Sequence, residues 1–199
     1  MTASPTCTLL ITAAREPASI GRALAAFLDA PPPGLLEVLV ICPDEATAQA
    51  AAQTANVRVL RDEGRGKPAA LNLGFAGARG EIVILSDGDV RVDAANWPAL
   101  LPPFMDPAVG AVTGRPVTIS PRETALGYWS HLLTETAHAQ RAAQDRAGAF
   151  LLCSGYLFAV RRSLLSPLPE DALAEDAVIS HRIWQGGSFR DMNWMQRRP

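Results

Sequence analysis

Short apolar runs bounded by turn residues alternate with helix-period segments through the first half of the chain. That alternation predicts an α/β fold with a mostly parallel central sheet flanked by helices. Residues 9–12 predict a first buried strand, after which Pro17 and Ser19 open an amphipathic helix with Ile20, Leu24, Phe27 and Leu28 on one face. The proline run ending in Gly34 stops that helix, and residues 38–41 predict a second strand. An alanine-rich helix over 45–55 and a short strand over 57–60 follow. Next, Gly64-Arg65-Gly66-Lys67-Pro68 leads into a helix over 69–78 with proline in its first turn and Gly80 as its stop. The continuous apolar strand 81–85 then delivers Ser86-Asp87-Gly88-Asp89 at its C-terminal end, the edge of an open α/β sheet where ligands bind.

The second half is less regular. It predicts a short helix over 97–104, one or two strands over 109–117, and a long helix over 123–146. A strand-like stretch over 150–160 with a turn at Ser154-Gly155 comes next, then a helix over 172–185 that begins near Glu175-Asp176 and stops at Gly186-Gly187. No repeat or low-complexity linker divides the chain, so one compact domain over 1–199 is expected. The long helix carries Trp129, Leu132 and Leu133, which fit either a core or a membrane-interfacial element.

Composition narrows the classes. The 199 residues hold 18 Lys+Arg against 20 Asp+Glu, a net charge of −2, which gives no basic field for a nucleic-acid backbone. Cys7, Cys42 and Cys153 are odd in number, widely spaced and set among apolar residues, as expected of reduced core thiols in a cytoplasmic protein. No basic, then apolar, leader opens the chain, and the longest uncharged stretch, 147–160, falls short of the roughly 20 apolar residues that span a bilayer. Lys67 is the sole lysine.

Three polar features bear on chemistry. Asp87 and Asp89, one residue apart, point to the same side of an extended segment, and Gly88 between them permits close approach of a ligand. Such an Asp-x-Asp pair suits Mg²⁺ or Mn²⁺, which fills its other positions with water and phosphate oxygens; the alternative is a plain Asp-Gly turn. Gly64, Gly66 and the free N–H groups at the following helix start form a candidate anion cradle, with Lys67 and Arg65 supplying charge, unless Lys67 is a solvated helix start. If the strands at 57–60 and 82–85 are neighbours, cradle and aspartates share one sheet edge. Glu175 and Asp176 are either acids favoured by a helix N-terminus or the source of a general base. His131 and His138 share a helix face but lack a third ligand, so they read as surface or satisfied imidazoles; His181 is a remote candidate for a metal at Asp89. No Gly-x-Ser-x-Gly elbow occurs, and the apolar setting of Cys153 gives no support to a nucleophilic thiol.

The order of Arg15-Glu16-Pro17, Gly66-Lys67-Pro68-Ala69-Ala70-Leu71-Asn72, Leu85-Ser86-Asp87-Gly88-Asp89, Ser154-Gly155 with Arg161-Arg162, and Ala174-Glu175-Asp176 resembles the family-2 glycosyltransferases of the GT-A fold. The resemblance covers nearly the whole chain. It implies a Rossmann-like sheet with a nucleotide-sugar-binding half over 1–90 and an acceptor-side half over 91–199. It also implies transfer of a sugar, with inversion, from a nucleoside-diphosphate sugar, UDP-sugar foremost, to an acceptor hydroxyl.

By the same resemblance Asp89 binds Mg²⁺ or Mn²⁺ at the diphosphate, Asp87 holds the ribose or sugar and shares the metal, and Asp176 is the catalytic base with Glu175 beside it. Lys67 and Glu16 match positions near the nucleotide. The second strand of this family usually ends in an Asp-Asp-Gly-Ser-type turn whose acid contacts the nucleobase. Here it ends Ile41-Cys42-Pro43-Asp44-Glu45, leaving Asp44 as the acid available to substitute.

After the Glu-Asp helix, relatives continue with further strands, a Gln-x-x-Arg-type motif and often membrane helices. This chain runs from Gly187 almost directly to Trp194-Met195-Gln196-Arg197-Arg198, which implies a shortened acceptor side. Expected partners are therefore the donor, a lipid-linked or polysaccharide acceptor and no nucleic acid, at the cytoplasmic face of a membrane if absent segments attach it there. The alternative is a non-catalytic nucleotide-sugar-binding remnant or subunit.

Overall fold

A computed structural model describes residues 4–185, so the expected helix stop at Gly186-Gly187 and the stretch 188–198 lie outside the described residues. The strands are β1 (Cys7–Thr12), β2 (Leu35–Cys42), β3 (Val57–Arg61), β4 (Ile82–Asp87), β5 (Ala111–Thr113) and β6 (Leu157–Arg161). They form one six-stranded sheet in the order β3-β2-β1-β4-β6-β5. β1 to β4 are mutually parallel, and β6 runs antiparallel to both β4 and β5. The expected mostly parallel sheet is therefore present. β3 and β4 are not neighbours, however. β2 and β1 lie between them, and the cradle and the aspartates share an edge because all four parallel strands end on the same side.

The helices are α1 (Ile20–Leu28), α2 (Glu45–Ala52), α3 (Lys67–Gly77), α4 (Ala125–Arg146) and α5 (Glu175–Gln185). Strand residues alternate between faces, and each face meets its own helices. Leu9, Ile11, Val38, Val40, Ile82 and Ile84 pack with Ile20, Leu24 and Phe27 of α1 and with Ala48 and Ala51 of α2. Leu10, Leu39, Ile41, Val83 and Leu85 pack on the other face with Ala70 and Leu71 of α3 and with Ile179 and Ile183 of α5. The apolar strands are near-continuous because both of their faces are covered.

In the second half the observed elements are shorter than the expected stretches. The stretch 97–104 forms two single-turn 3-10 helices, Trp97–Leu100 and Pro102–Met105, because three prolines remove the N–H donors a longer helix needs. Only Ala111–Thr113 of the region 109–117 is strand, and of 150–160 only Leu157–Arg161. The long helix is α4, whose buried residues are Gly127 and Ala142, while Leu126, Tyr128, Trp129 and Leu133 are exposed. It meets the rest of the chain through its small and polar side, with the Ser130 hydroxyl on Thr118 and the His131 ring on the Ser120 carbonyl, so its apolar residues are not core.

Gly80 joins α3 to β4 where backbones touch. A Cβ there would lie 2.5 Å from the Cys7 carbonyl carbon and from the Thr8 nitrogen, and backbone cannot yield as a flexible side chain does. Gly80→Ala is therefore expected to cost about 1–3 kcal/mol, the usual range for overpacking, read as a lower urea midpoint at unchanged slope. An unchanged midpoint contradicts this close approach.

Candidate functional site

The C-terminal ends of β1 to β4 open onto a cavity of about 340 Å³ lined by Thr12, Glu16, Ile41, Pro43, Asp62, Gly64, Gly66, Lys67, Asp87 and Asp89, among others. Lys67 is the first residue of α3. Gly66 before it sits at φ 107°, a conformation open to glycine and strained for other residues, and Pro68 fixes the first turn. This start aims the lysine inward. Its Nζ lies 2.6 Å from Asp87 Oδ1 and 2.8 Å from Glu175 Oε1, so one ammonium joins the end of β4 to the start of α5.

The three side chains are 33%, 26% and 16% exposed, so water screens their attraction only in part. Burial works against the charge on Lys67, yet its hydrogen bonds to Asp87 and Glu175 outweigh this and raise its pKa. Burial also raises the pKa of Asp87, against the opposing effects of Lys67 and of the Thr12 hydroxyl, which donates to Oδ1 at 3.2 Å.

Gly88 separates the two aspartates where a side chain has no room. A Cβ would fall 2.3 Å from Glu16 Oε2 and 2.6 Å from the Ala13 Cβ. Glu16 thus lies against the Asp-Gly-Asp turn, and its Oε2 is buried without a hydrogen-bond partner. Burial first, then Asp89 and Asp87, push its pKa up to about 7. Hard carboxylate oxygens at Asp87 and Asp89, with an unsatisfied one at Glu16 beside them, are the donor chemistry that Mg²⁺ and Mn²⁺ take. Among the described residues no three His, Cys, Asp or Glu side chains form a metal-binding group, so a cation here would draw its remaining ligands from water or substrate oxygens.

Asp44 does other work. Its Oδ1 caps α2, accepting from the Thr47 N–H at 3.0 Å and the Thr47 hydroxyl at 2.8 Å, while Oδ2 accepts the Arg15 N–H at 2.8 Å. These bonds, led by that from Arg15, hold its pKa down. The Thr47 oxygen also accepts the Glu16 N–H at 2.9 Å, and Arg15 stands at φ 61°. Asp44 and Thr47 therefore pin the turn that sends Glu16 into the cavity, and Asp44 is absent from the cavity lining.

Asp176 stands in the first turn of α5. Its Oδ2 comes within 3.1 Å of where a Cβ on Gly155 would stand, so the glycine leaves that carboxylate its space. The Ser180 hydroxyl donates to the Asp176 carbonyl at 2.6 Å and accepts the Cys153 N–H at 3.0 Å, fastening α5 to the segment carrying Gly155. Burial pushes the Cys153 thiol up to about 12, the opposite of an activated nucleophile.

Arg65 turns away from the expected cradle to pair with Glu63 and Glu170. The His181 ring packs edge-on against Phe150. Two residues to which the sequence assigns no role stand out here. Asn72 clamps Leu168 by donating to its carbonyl at 2.9 Å and accepting its N–H at 2.7 Å. Asp62 lines the cavity just beyond β3, a place the sheet-edge rule that singled out Asp87 also marks.

The family profile described as Glycosyltransferase like family 2 matches residues 5–183. The chain belongs to this family. It is 33% identical to the probable glycosyltransferase YdaM of Bacillus subtilis strain 168 over 131 residues, 62% of this chain and 31% of that protein. Among solved structures, the mannosyltransferase PcManGT from Pyrobaculum calidifontis, in complex with GDP-Man and Mn²⁺, matches at TM-score 0.71 and 28% identity, over 92% of this chain and 52% of that one. Glucosyl-3-phosphoglycerate synthase from Mycobacterium tuberculosis, in complex with Mn²⁺, UDP-Glc and phosphoglyceric acid, matches at TM-score 0.68 and 20% identity, over 98% of this chain and 73% of that one. The fold is the GT-A fold of these glycosyltransferases. The chain spans 31% of the curated relative's length and 52% of the mannosyltransferase's. Among the described residues no helix is long and apolar enough to cross a membrane.

The raised pKa of Glu16 has a stability consequence of fixed sign. The folded chain keeps that proton up to about pH 7, the unfolded chain only to about 4.5, so stability falls as pH rises between those values. With metal chelated, Glu16→Gln is expected to gain melting temperature over the parent from pH 5 to pH 8, with most of the gain in place by pH 7. A pH-independent difference contradicts the assignment.

Proposed function

We propose that the chain is an inverting, divalent-metal-dependent hexosyltransferase domain that moves a sugar from a nucleoside-diphosphate sugar to an acceptor hydroxyl. The observation that carries this reading is the Lys67 bridge, which draws the Asp87–Asp89 turn and the Glu175–Asp176 helix start to one sheet edge. The family assignment and the 28% identity to a mannosyltransferase with GDP-Man and Mn²⁺ support it. UDP-sugars and GDP-sugars are the donors to test first. The acceptor class we favour is a lipid-linked sugar or polysaccharide at the cytoplasmic face of a membrane.

In this reading Asp87 and Asp89 hold Mg²⁺ or Mn²⁺ beside the diphosphate. A cation bound there supplies Lewis-acid neutralisation of the leaving diphosphate. Lys67 orients Asp87 and adds positive charge on the leaving-group side, and Glu16 lies against the nucleotide. Asp176, with Glu175 next to it, accepts the proton of the acceptor hydroxyl as its oxygen bonds to the anomeric carbon. The bond from that carbon to the diphosphate breaks, the nucleoside diphosphate departs, and the configuration inverts. One base and one neutralised leaving group suffice, so this chemistry does not need the acid carboxylate of a glycosidase.

Two variants separate the roles. Asp89→Ala is expected to abolish Mn²⁺-dependent donor turnover. Asp176→Asn is expected to keep donor affinity while lowering transfer by roughly 10²–10⁴-fold, the usual contribution of a general base. Unchanged turnover in Asp89→Ala contradicts the reading, and donor binding without any turnover in the parent chain identifies a binding protein instead.

A further inference from the structure

Asp62 is the unexplained acid of the cavity. It follows β3 on the outer side of the parallel sheet and continues the pairing with β2 through its N–H to the Cys42 carbonyl at 3.3 Å. Its Oδ1 accepts the Gly64 N–H at 2.6 Å, which fixes the turn, and its Oδ2 is buried without a hydrogen-bond partner. A buried carboxylate oxygen left unpaired is costly, and the residue lines a cavity that a ligand can enter. The neighbouring wall is apolar, with Ile41 and Pro43, and Gly64 beside it lacks a side chain, its Cβ position lying 3.5 Å from the Pro43 Cβ. A flat, apolar-faced group carrying an N–H at its edge fits between these parts.

Distance along the sheet says which part of a donor that group is. β3 and β4 are three strand spacings apart, roughly 14 Å at ordinary strand separation. With the diphosphate at Asp87 and Asp89, the far end of the nucleoside falls at Asp62. Asp44, the acid expected for this task, has both oxygens committed to Thr47 and Arg15.

We infer that Asp62 reads the nucleobase, and that it selects bases with a ring N–H on their pairing edge: uracil, thymine and guanine. Cytosine and adenine present a bare ring nitrogen at that position, which sets a lone pair against the carboxylate. The inference rests on the donor reading above and narrows it to a class of donor.

Calorimetric titration of the full chain with Mn²⁺ and each of UDP, TDP, GDP, CDP, ADP and pyrophosphate tests it. The parent chain is expected to bind UDP, TDP or GDP at least tenfold more tightly than CDP and ADP. Asp62→Asn keeps an oxygen for the Gly64 N–H and replaces the other with an amide donor, so it is expected to lose at least tenfold for the preferred base and to hold or gain for CDP and ADP. A melting curve matching the parent's shows that Asp62→Asn is folded; if it does not match, Asp62→Glu, which keeps the carboxylate one methylene further out, is expected to retain the order of preference at weaker affinity. Equal binding of all five nucleotides, or an unchanged preference in folded Asp62→Asn, overturns the role of Asp62 while leaving the donor reading intact. No binding of any nucleotide or of pyrophosphate overturns both.

Discussion

One ammonium group holds the two halves of this site together. Asp87 ends a central strand and Glu175 begins a helix many residues later, and without a cation between them their carboxylates would repel at close range in a partly dry setting. Lys67 supplies that cation, from a position set by backbone alone: a glycine at φ 107°, then the lysine, then a proline in the first turn. The same helix fastens the far side twice more, through Asn72 on the Leu168 backbone and through Arg65, just ahead of it, on Glu170. Helix α3 therefore fixes the distance between the edge that would hold the donor and the acid that would serve the acceptor.

Local pairing explains why so many carboxylates are tolerated at one sheet edge. Asp44 is neutralised locally by a helix N-terminus and a backbone N–H, Asp87 by Lys67, and Glu16 by holding a proton up to about pH 7. Glu16 and Asp62 each keep one buried oxygen without a partner. Two such carboxylate oxygens lining one cavity describe a site shaped for ligands that bring positive charge or N–H donors.

Much of this was legible in the sequence, for physical reasons. Strands covered on both faces are near-continuously apolar, which made β1, β2 and β4 readable, and Gly66-Lys67-Pro68 and Gly80 bracket α3 with residues that suit a helix start and stop. Strand order was not legible, because apolar runs do not say who their neighbours are; β3 and β4 end on the same edge without touching. α4 could be recognised as a helix but not placed, since its apolar residues follow helical spacing whether they face inward or, as here, outward. An acid after a strand looks the same whether it caps the next helix or faces a cavity, and the bonds of Asp44 to Thr47 and Arg15 are what show the cap. Asp62 carried the same signal and was missed, for want of a motif around it.

The edge defined by Lys67, Asp87 and Glu175 is where a metal–diphosphate and an acceptor would meet. A crystal structure of the chain with Mn²⁺ and a nucleoside diphosphate tests it most directly. Mn²⁺ is expected on Asp89 and Asp87 with the diphosphate against α3, the base at Asp62, and Asp176 facing the open side of the diphosphate. A nucleotide bound elsewhere, or Mn²⁺ held away from the Asp87–Asp89 turn, contradicts it.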